Sequence, residues 1–153
     1  MKQTHLIQRI LDFVKIDGSI TNKKETPMTQ PLLHKDAKGP SRKYSWNYRA
    51  IVGMLNYLTG STRPDIAMAV HQVARFSNDP KLSHEKAIMR ICRYLFGTKE
   101  HGIIFKPDKK KGLELFVDAE FAGNWKNADE DNPENCFSRS GYTIKYNNCC
   151  VFT

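Results

Sequence analysis

The 153-residue chain predicts an α+β fold, with helices first and an antiparallel sheet second. Two observations carry that expectation. Between Trp46 and Gly97, three segments in succession repeat their apolar residues at helical spacing, with short breaks containing Gly or Pro between them. After Gly102 the repeat falls to two and no helical segment follows, so the strand-helix alternation that builds a parallel sheet is missing. Composition bounds the class, since 40% hydrophobic and 26% charged residues match a soluble globular chain. No apolar run approaches the roughly 20 residues that span a bilayer, and the polar start MKQTHLIQRI lacks a signal-peptide core. The expected setting is intracellular, in cytoplasm or nucleus, with no membrane partner.

Taken in order, HLIQRILDFVKI places Leu6, Ile7, Ile10, Leu11 and Val14 on one face of a short helix that Asp17-Gly18 closes. Residues 19–45 contain Pro27, Pro31, Gly39 and Pro40 among basic residues and read as an extended connector, with Met28, Leu32 and Leu33 as docking points. WNYRAIVGMLNYLTG presents Tyr48, Ile51, Val52, Leu55 and Leu58 on one face, with Ser45 as N-cap and Gly60 as stop. In STRPDIAMAVHQVARFSNDP, Thr62 caps, Pro64 occupies the first turn and Asp65 complements the helix dipole, leaving Ile66, Ala69, Val70, Val73 and Ala74 as the buried stripe. SHEKAIMRICRYLFGT opens at Ser83 and ends at Gly97, with Ala87, Ile88, Ile91, Cys92 and Leu95 inward. HGIIFK and LELFVD read as a hairpin about PDKKKG, and SGYTIKYN and CCVFT as a second about Asn147-Asn148, a pair that tolerates positive φ. The division is therefore 1–45 (short helix plus basic connector), 46–105 (helical) and 106–153 (strands), and the sheet is expected to be incomplete because no helix follows to cover it.

Charge is divided unevenly. Up to Lys111 there are 21 Lys and Arg against 9 Asp and Glu, and from Gly112 onward 3 against 7. A basic body favours polyanions by counterion release, whereas an acidic end repels phosphate unless cations intervene. Lys86, Arg90 and Arg93 recur at spacings of four and three, and so share a helix face opposite the apolar stripe. With Lys99 and the loop Lys109, Lys110 and Lys111 they could follow a phosphate backbone; otherwise they are solvated helix-face and loop residues. His71 reads as a packing residue, and His84, in a first helical turn, as a neutral imidazole. Trp46, Tyr48, Tyr57 and Tyr94 read as core or interface anchors. Cys92, Cys136, Cys149 and Cys150 lack zinc-site spacing, and Asp129, Glu130, Asp131 and Glu134 lack that of a calcium loop.

The run LELFVDAEFAG ends a half-buried strand with two acids, Asp118 and Glu120, which strand alternation returns to the same side. Together with the stretch from Asn47 through TRPD and RYLFGT to Phe105, and with SRSGYTIKY, it resembles the Pol polyproteins of copia-type LTR retrotransposons. The resemblance falls where the reverse transcriptase ends and the RNase H domain begins, and it covers nearly the whole chain. It implies a helical thumb or connection-like segment up to about residue 105, then the first strands of an RNase H-like sheet. It also implies that Asp118 occupies the position of a metal-binding, catalytic aspartate, with Glu120 as a weaker ligand where the family shows D-A-D. The parent chemistry uses Mg²⁺ pairs held by several carboxylates. The family's remaining RNase H acids fall beyond Thr153 and the polymerase aspartates before Met1, so this chain is expected to be a fragment, inactive alone, that holds no cation productively. Its expected partners are an RNA–DNA hybrid, bound weakly through the basic helices, and the rest of the Pol protein. Two alternatives are a metal-dependent ribonuclease H completed by a partner chain, and a remnant without function.

Overall fold

A computed structural model describes residues 1–16, 22–29, 33–120 and 138–152, with four α-helices and three strands among them. They form two compact units, Met1–Ile103 and Ile104–Thr153. The α+β class is as the periodicities indicate.

In the first unit, α1 (Thr4–Phe13), α2 (Tyr48–Ser61), α3 (Ala67–Ala74) and α4 (Leu82–Gly97) close their apolar stripes on one another. Ile7, Ile10, Ile51, Leu55, Leu58, Ile66, Val70, Ile88 and Leu95 are all fully buried. Each such side chain contributes about 1.5–3 kcal/mol relative to exposure, so this core dominates the unit's stability. Met28 and Leu33 of the connector pack against it as expected; Leu32 lies outside the described residues.

The helix ends differ from expectation. α1 stops at Phe13, where Lys15 at φ 59° turns the chain left-handed. The Ile16 amide donates to the Leu11 carbonyl at 2.9 Å and the Lys15 amide to Asp12 at 3.1 Å, a Schellman motif with lysine where glycine is usual. Asp17 and Gly18 lie outside the described residues. The N-cap of α2 is Asn47, whose side chain accepts the Ala50 amide at 3.1 Å, and not Ser45. The helix also continues through Gly60 to Ser61, because Thr62 supplies the terminal turn. Thr62 thus ends α2 instead of starting the next helix, and Pro64–Ile66 form a 3₁₀ turn leading into α3. The first residue of α4 is Leu82; Ser83 does not cap it but donates to Asp36 at 2.7 Å.

The second unit is a three-stranded antiparallel sheet, β1 (Leu113–Glu120), β2 (Arg139–Tyr146) and β3 (Cys149–Phe152), in that order. HGIIFK forms no strand, which corrects the first expected hairpin: Ile103, Ile104 and Phe105 are three consecutive apolar residues with no alternation, and Ile104 is 90% exposed. β1 pairs instead with β2, whose alternation matches its own, setting Leu115 opposite Ile144 and Val117 opposite Tyr142. The PDKKKG turn does form, with the Lys111 amide donating to the Asp108 carbonyl, and it docks on the other turn through the Asp108 amide and the Asn147 carbonyl at 2.8 Å. The second hairpin is as expected, with Asn147 and Asn148 at φ 48° and 67°.

Candidate nucleic-acid interface

The element that carries the basic face, α4, is anchored at both ends by buried polar groups. At its start His84, 1% exposed, accepts the Lys81 amide at Nδ1 (3.0 Å) and faces the His34 carbonyl with Nε2 (3.0 Å). A backbone N–H only donates and a carbonyl only accepts, so the ring is the neutral Nε2–H tautomer, the neutral form its place in the first turn implies. Next to it the Glu85 carboxylate, also 1% exposed, accepts from Arg42 Nε (3.2 Å) and from the backbone amides of Lys43 (3.1 Å) and Tyr44 (3.2 Å). Arg42 in turn lies over the Trp46 ring at 4.4 Å, and Tyr48 donates to the Val73 carbonyl at 2.8 Å. The connector is thereby fixed along the start of α4.

At the other end, Arg63 is 1% exposed and meets Asp65 in a bidentate pair, Nε to Oδ1 at 2.9 Å and the second nitrogen to Oδ2 at 2.7 Å. It also donates to the Thr98 carbonyl (3.0 Å) and hydroxyl (2.8 Å), which satisfies the end of α4. Tyr94 donates to Asp65 at 2.7 Å. TRPD and RYLFGT, distant in sequence, are therefore two halves of one clamp. Burial works to raise the Asp65 pKa, but the hydrogen bonds from Arg63 and Tyr94 and the Arg63 charge outweigh it and hold the carboxyl below its ordinary value. Tyr94 is pushed up, by burial and by the same carboxylate.

Against this frame the four expected cations of the helical unit take different postures. Lys86 is exposed. Arg90 donates one terminal nitrogen to Thr26 at 2.9 Å, and its Nε is buried, as is that of Arg93. Lys99 donates to Gln8. Their partners are neutral oxygens, and no described carboxylate forms an ion pair with any of the four. No described carboxylate therefore offsets the positive charge of this face. Lys109, Lys110 and Lys111 are exposed in the sheet unit.

Asp118 is exposed near the end of β1, opposite Gly141, which has no side chain to cover it. A shallow depression of about 400 Å³ lies around it, lined by Phe116, Tyr142 and Thr143 among others. The Glu120 side chain lies outside the described residues, as does the acidic insertion. No group of three or more His, Cys, Asp or Glu able to hold a metal occurs among the described residues. A pair of Mg²⁺ ions needs several carboxylates, and among the described residues Asp118 has no second carboxylate beside it.

Other expectations fare unevenly. Trp46 and Tyr48 are buried anchors, but Tyr57 is 64% exposed, and His71 is exposed while its neighbour Gln72 takes the buried place. Cys92 is a buried thiol that desolvation pushes up to about 12. No described helix is long and apolar enough to cross a membrane. Arg42, Arg63, Glu85 and His84, which hold the ends of α4 in place, have no periodic signal of their own; the one available hint is acid and base flanking Pro64.

Similarity to known proteins covers most of the chain. It is 39% identical over 132 residues to the retrovirus-related Pol polyprotein from transposon RE1 of Arabidopsis thaliana, a match over 78% of this chain and 8% of that protein. The Pol polyprotein from transposon RE2 of the same plant matches at 39% over 126 residues, again 78% and 8%. The secreted RxLR effector protein 161 of Plasmopara viticola is 36% identical over 104 residues, 68% of each chain. No family model and no solved structure matches.

Proposed function

This chain belongs to the copia-type Pol polyprotein family of retrotransposons, and we propose that its helical unit grips the phosphate backbone of an RNA–DNA hybrid as a thumb or connection-like segment of the reverse transcriptase. The chain spans about 8% of the length of the Pol polyproteins it matches, so polymerase and ribonuclease activities are properties to be sought in the whole protein. One observation carries the proposal: Lys86, Arg90, Arg93 and Lys99 lie on or just beyond a helix clamped at both ends, and no described carboxylate neutralises them. A rigid row of uncompensated cations suits an evenly charged backbone, and its attraction is independent of base sequence. Within the same reading the sheet is the start of an RNase H-like domain in which Asp118 is one metal ligand of a set completed from the rest of Pol.

Titration with RNA–DNA hybrid at two salt concentrations tests the grip. Affinity should fall steeply with salt, and each of Lys86→Ala and Arg93→Ala should reduce the logarithmic salt slope by about one. A slope near zero, or one that these substitutions leave unchanged, rejects the proposal. A second reading, a ribonuclease completed by a partner chain, draws on the open position of Asp118 opposite Gly141. It requires Mg²⁺-dependent hybrid cleavage with the partner present, and loss of that cleavage in Asp118→Asn.

A further inference from the structure

We propose that Thr26 is a phosphorylation site, and that the phosphate it acquires is held by Arg90 on the basic face of α4. Of the seven prolines in the chain, only Pro27 follows a serine or threonine. Thr26 is exposed and lies in neither a helix nor a strand, so a proline-directed kinase has no regular structure to undo there. Pro27 also lacks the amide hydrogen that could tie this backbone to a neighbour. The connector runs antiparallel to α4: Lys23 lies over the Phe96 ring at 5.8 Å, Thr26 meets Arg90, and Asp36 meets Ser83. The hydroxyl is thereby placed on the basic face, where it accepts from a terminal nitrogen of Arg90 at 2.9 Å and donates to the Met28 carbonyl at 3.1 Å.

A receptor for the product is already assembled. Arg63 also donates to a threonine hydroxyl, that of Thr98, but its charge is taken up by Asp65. Arg90 has no described carboxylate, and a neutral hydroxyl is a weak partner for a guanidinium. Transfer of the γ-phosphoryl group of ATP joins phosphorus to the Thr26 oxygen and breaks the bond from that phosphorus to the bridging oxygen. ADP leaves, and the hydroxyl proton passes to the base of the kinase. Phosphate oxygens then stand one bond beyond the atom that Arg90 already touches, and they carry a charge of about −2. A neutral hydrogen bond is exchanged for charge-assisted ones that suit the fork of a guanidinium. Lys86, one turn earlier on α4 and exposed, lines the same depression as Pro27 and Arg90 and adds a second cation on that side. Glu25 adjoins in sequence and opposes the phosphate, and Lys23 and Lys24 offset it.

The site itself stands on the Thr26–Arg90 contact; its consequence rests on the hybrid grip proposed above, because the added charge cancels that of Arg90 and Lys86. A proline-directed kinase with ATP should label the full chain at Thr26, as located by peptide mapping, and should leave Thr26→Val unlabelled there. The phosphorylated chain should melt a few degrees above the unmodified one, and Arg90→Gln should remove that gain. Its phosphorus resonance should titrate below the ordinary second ionisation of about 6 and return to it in Arg90→Gln, a readout that survives a loss of stability in the variant. The logarithmic salt slope on hybrid should fall by about two. A gain in melting temperature with an unchanged slope upholds the site and rejects the grip. A folded chain that stays unlabelled under conditions that label a peptide of residues 22–29 overturns the proposal. So does a phosphate whose melting-temperature effect and resonance are both insensitive to Arg90→Gln.

Discussion

In residues 1–103, 17 Lys and Arg stand against 8 Asp and Glu, and four helices close their apolar stripes on each other. In residues 104–153 the charges nearly balance, 7 against 8, and Leu113, Leu115 and Val117 remain 73%, 63% and 75% exposed. Both units are built from amphipathic elements, but among the described residues only the first closes a core of its own. The contrast shows where stability should reside. A helical stripe can be buried by other helices of the same unit, while a sheet with one apolar face needs a second layer. The helical unit also commits buried charge to fixing its geometry, through Arg63–Asp65 and Arg42–Glu85, and no described carboxylate pairs with the cations of α4. The described sheet residues contain no comparable pair, and the cation Lys145 lies over the Phe116 ring instead, at 4.9 Å.

The largest effect expected from this contrast comes from the clamp. Arg63→Ala should destabilise the helical unit by about 3–5 kcal/mol, since it strands Asp65 and the end of α4 together. Asp65→Asn should do much the same at neutral pH and also change the acid limb. The Asp65 carboxyl is held below its unfolded value, so its contribution is present above that value, near 3.8, and is lost as pH falls through the lower folded value. Denaturant melts between pH 6 and 2 should therefore show wild type and Asp65→Asn converging at the acid end. Parallel curves would mean that the pair does not act through charge.

The direct comparison is Leu55→Ala against Leu115→Ala. Leu55 is fully buried, and its truncation should cost about 2–5 kcal/mol. Leu115 is 63% exposed, and the same change should stay within about 0.5 kcal/mol. Equal losses would show that the sheet face is covered in solution.

A smaller pair of effects of opposite sign probes the turns. Lys15 and Asn148 each hold a left-handed backbone without being glycine. Lys15→Gly should stabilise the helical unit by about 1 kcal/mol, because a lysine side chain is strained at that φ. Asn148→Gly should gain only a few tenths, since asparagine already tolerates the turn. Thermal melts of the two variants rank them directly.

These cases also mark what the amino-acid order discloses. The stripes of α2, α3 and α4 are legible because burial imposes a 3.6-residue repeat, and the Asn147-Asn148 hairpin because few residues accept its φ. The caps are less legible: Ser45 and Asn47 are both good N-cap types, and geometry alone selects Asn47. The failed HGIIFK strand had the apolar content but not the alternation. Least legible are Arg63, Glu85 and Gln72, polar residues whose burial depends on the packing of distant segments. Lys86, Arg90 and Arg93 could be placed on one face from spacing, but the docking of Arg90 on Thr26 depends on the path of the connector.

The smallest effect concerns the residue that most resembles an active-site group. Asp118 is exposed and makes no described ion pair, so Asp118→Asn should change stability by less than about 0.5 kcal/mol. A metal role for it would be read in a cation response. A lone carboxylate holds Mg²⁺ weakly, so millimolar Mg²⁺ should shift the melting temperatures of wild type and Asp118→Asn alike. A shift confined to wild type would show that further carboxylates converge on Asp118 in solution. The contrast between a helical unit with a closed core and a sheet with an exposed apolar face would then extend to how each unit gathers its charged groups.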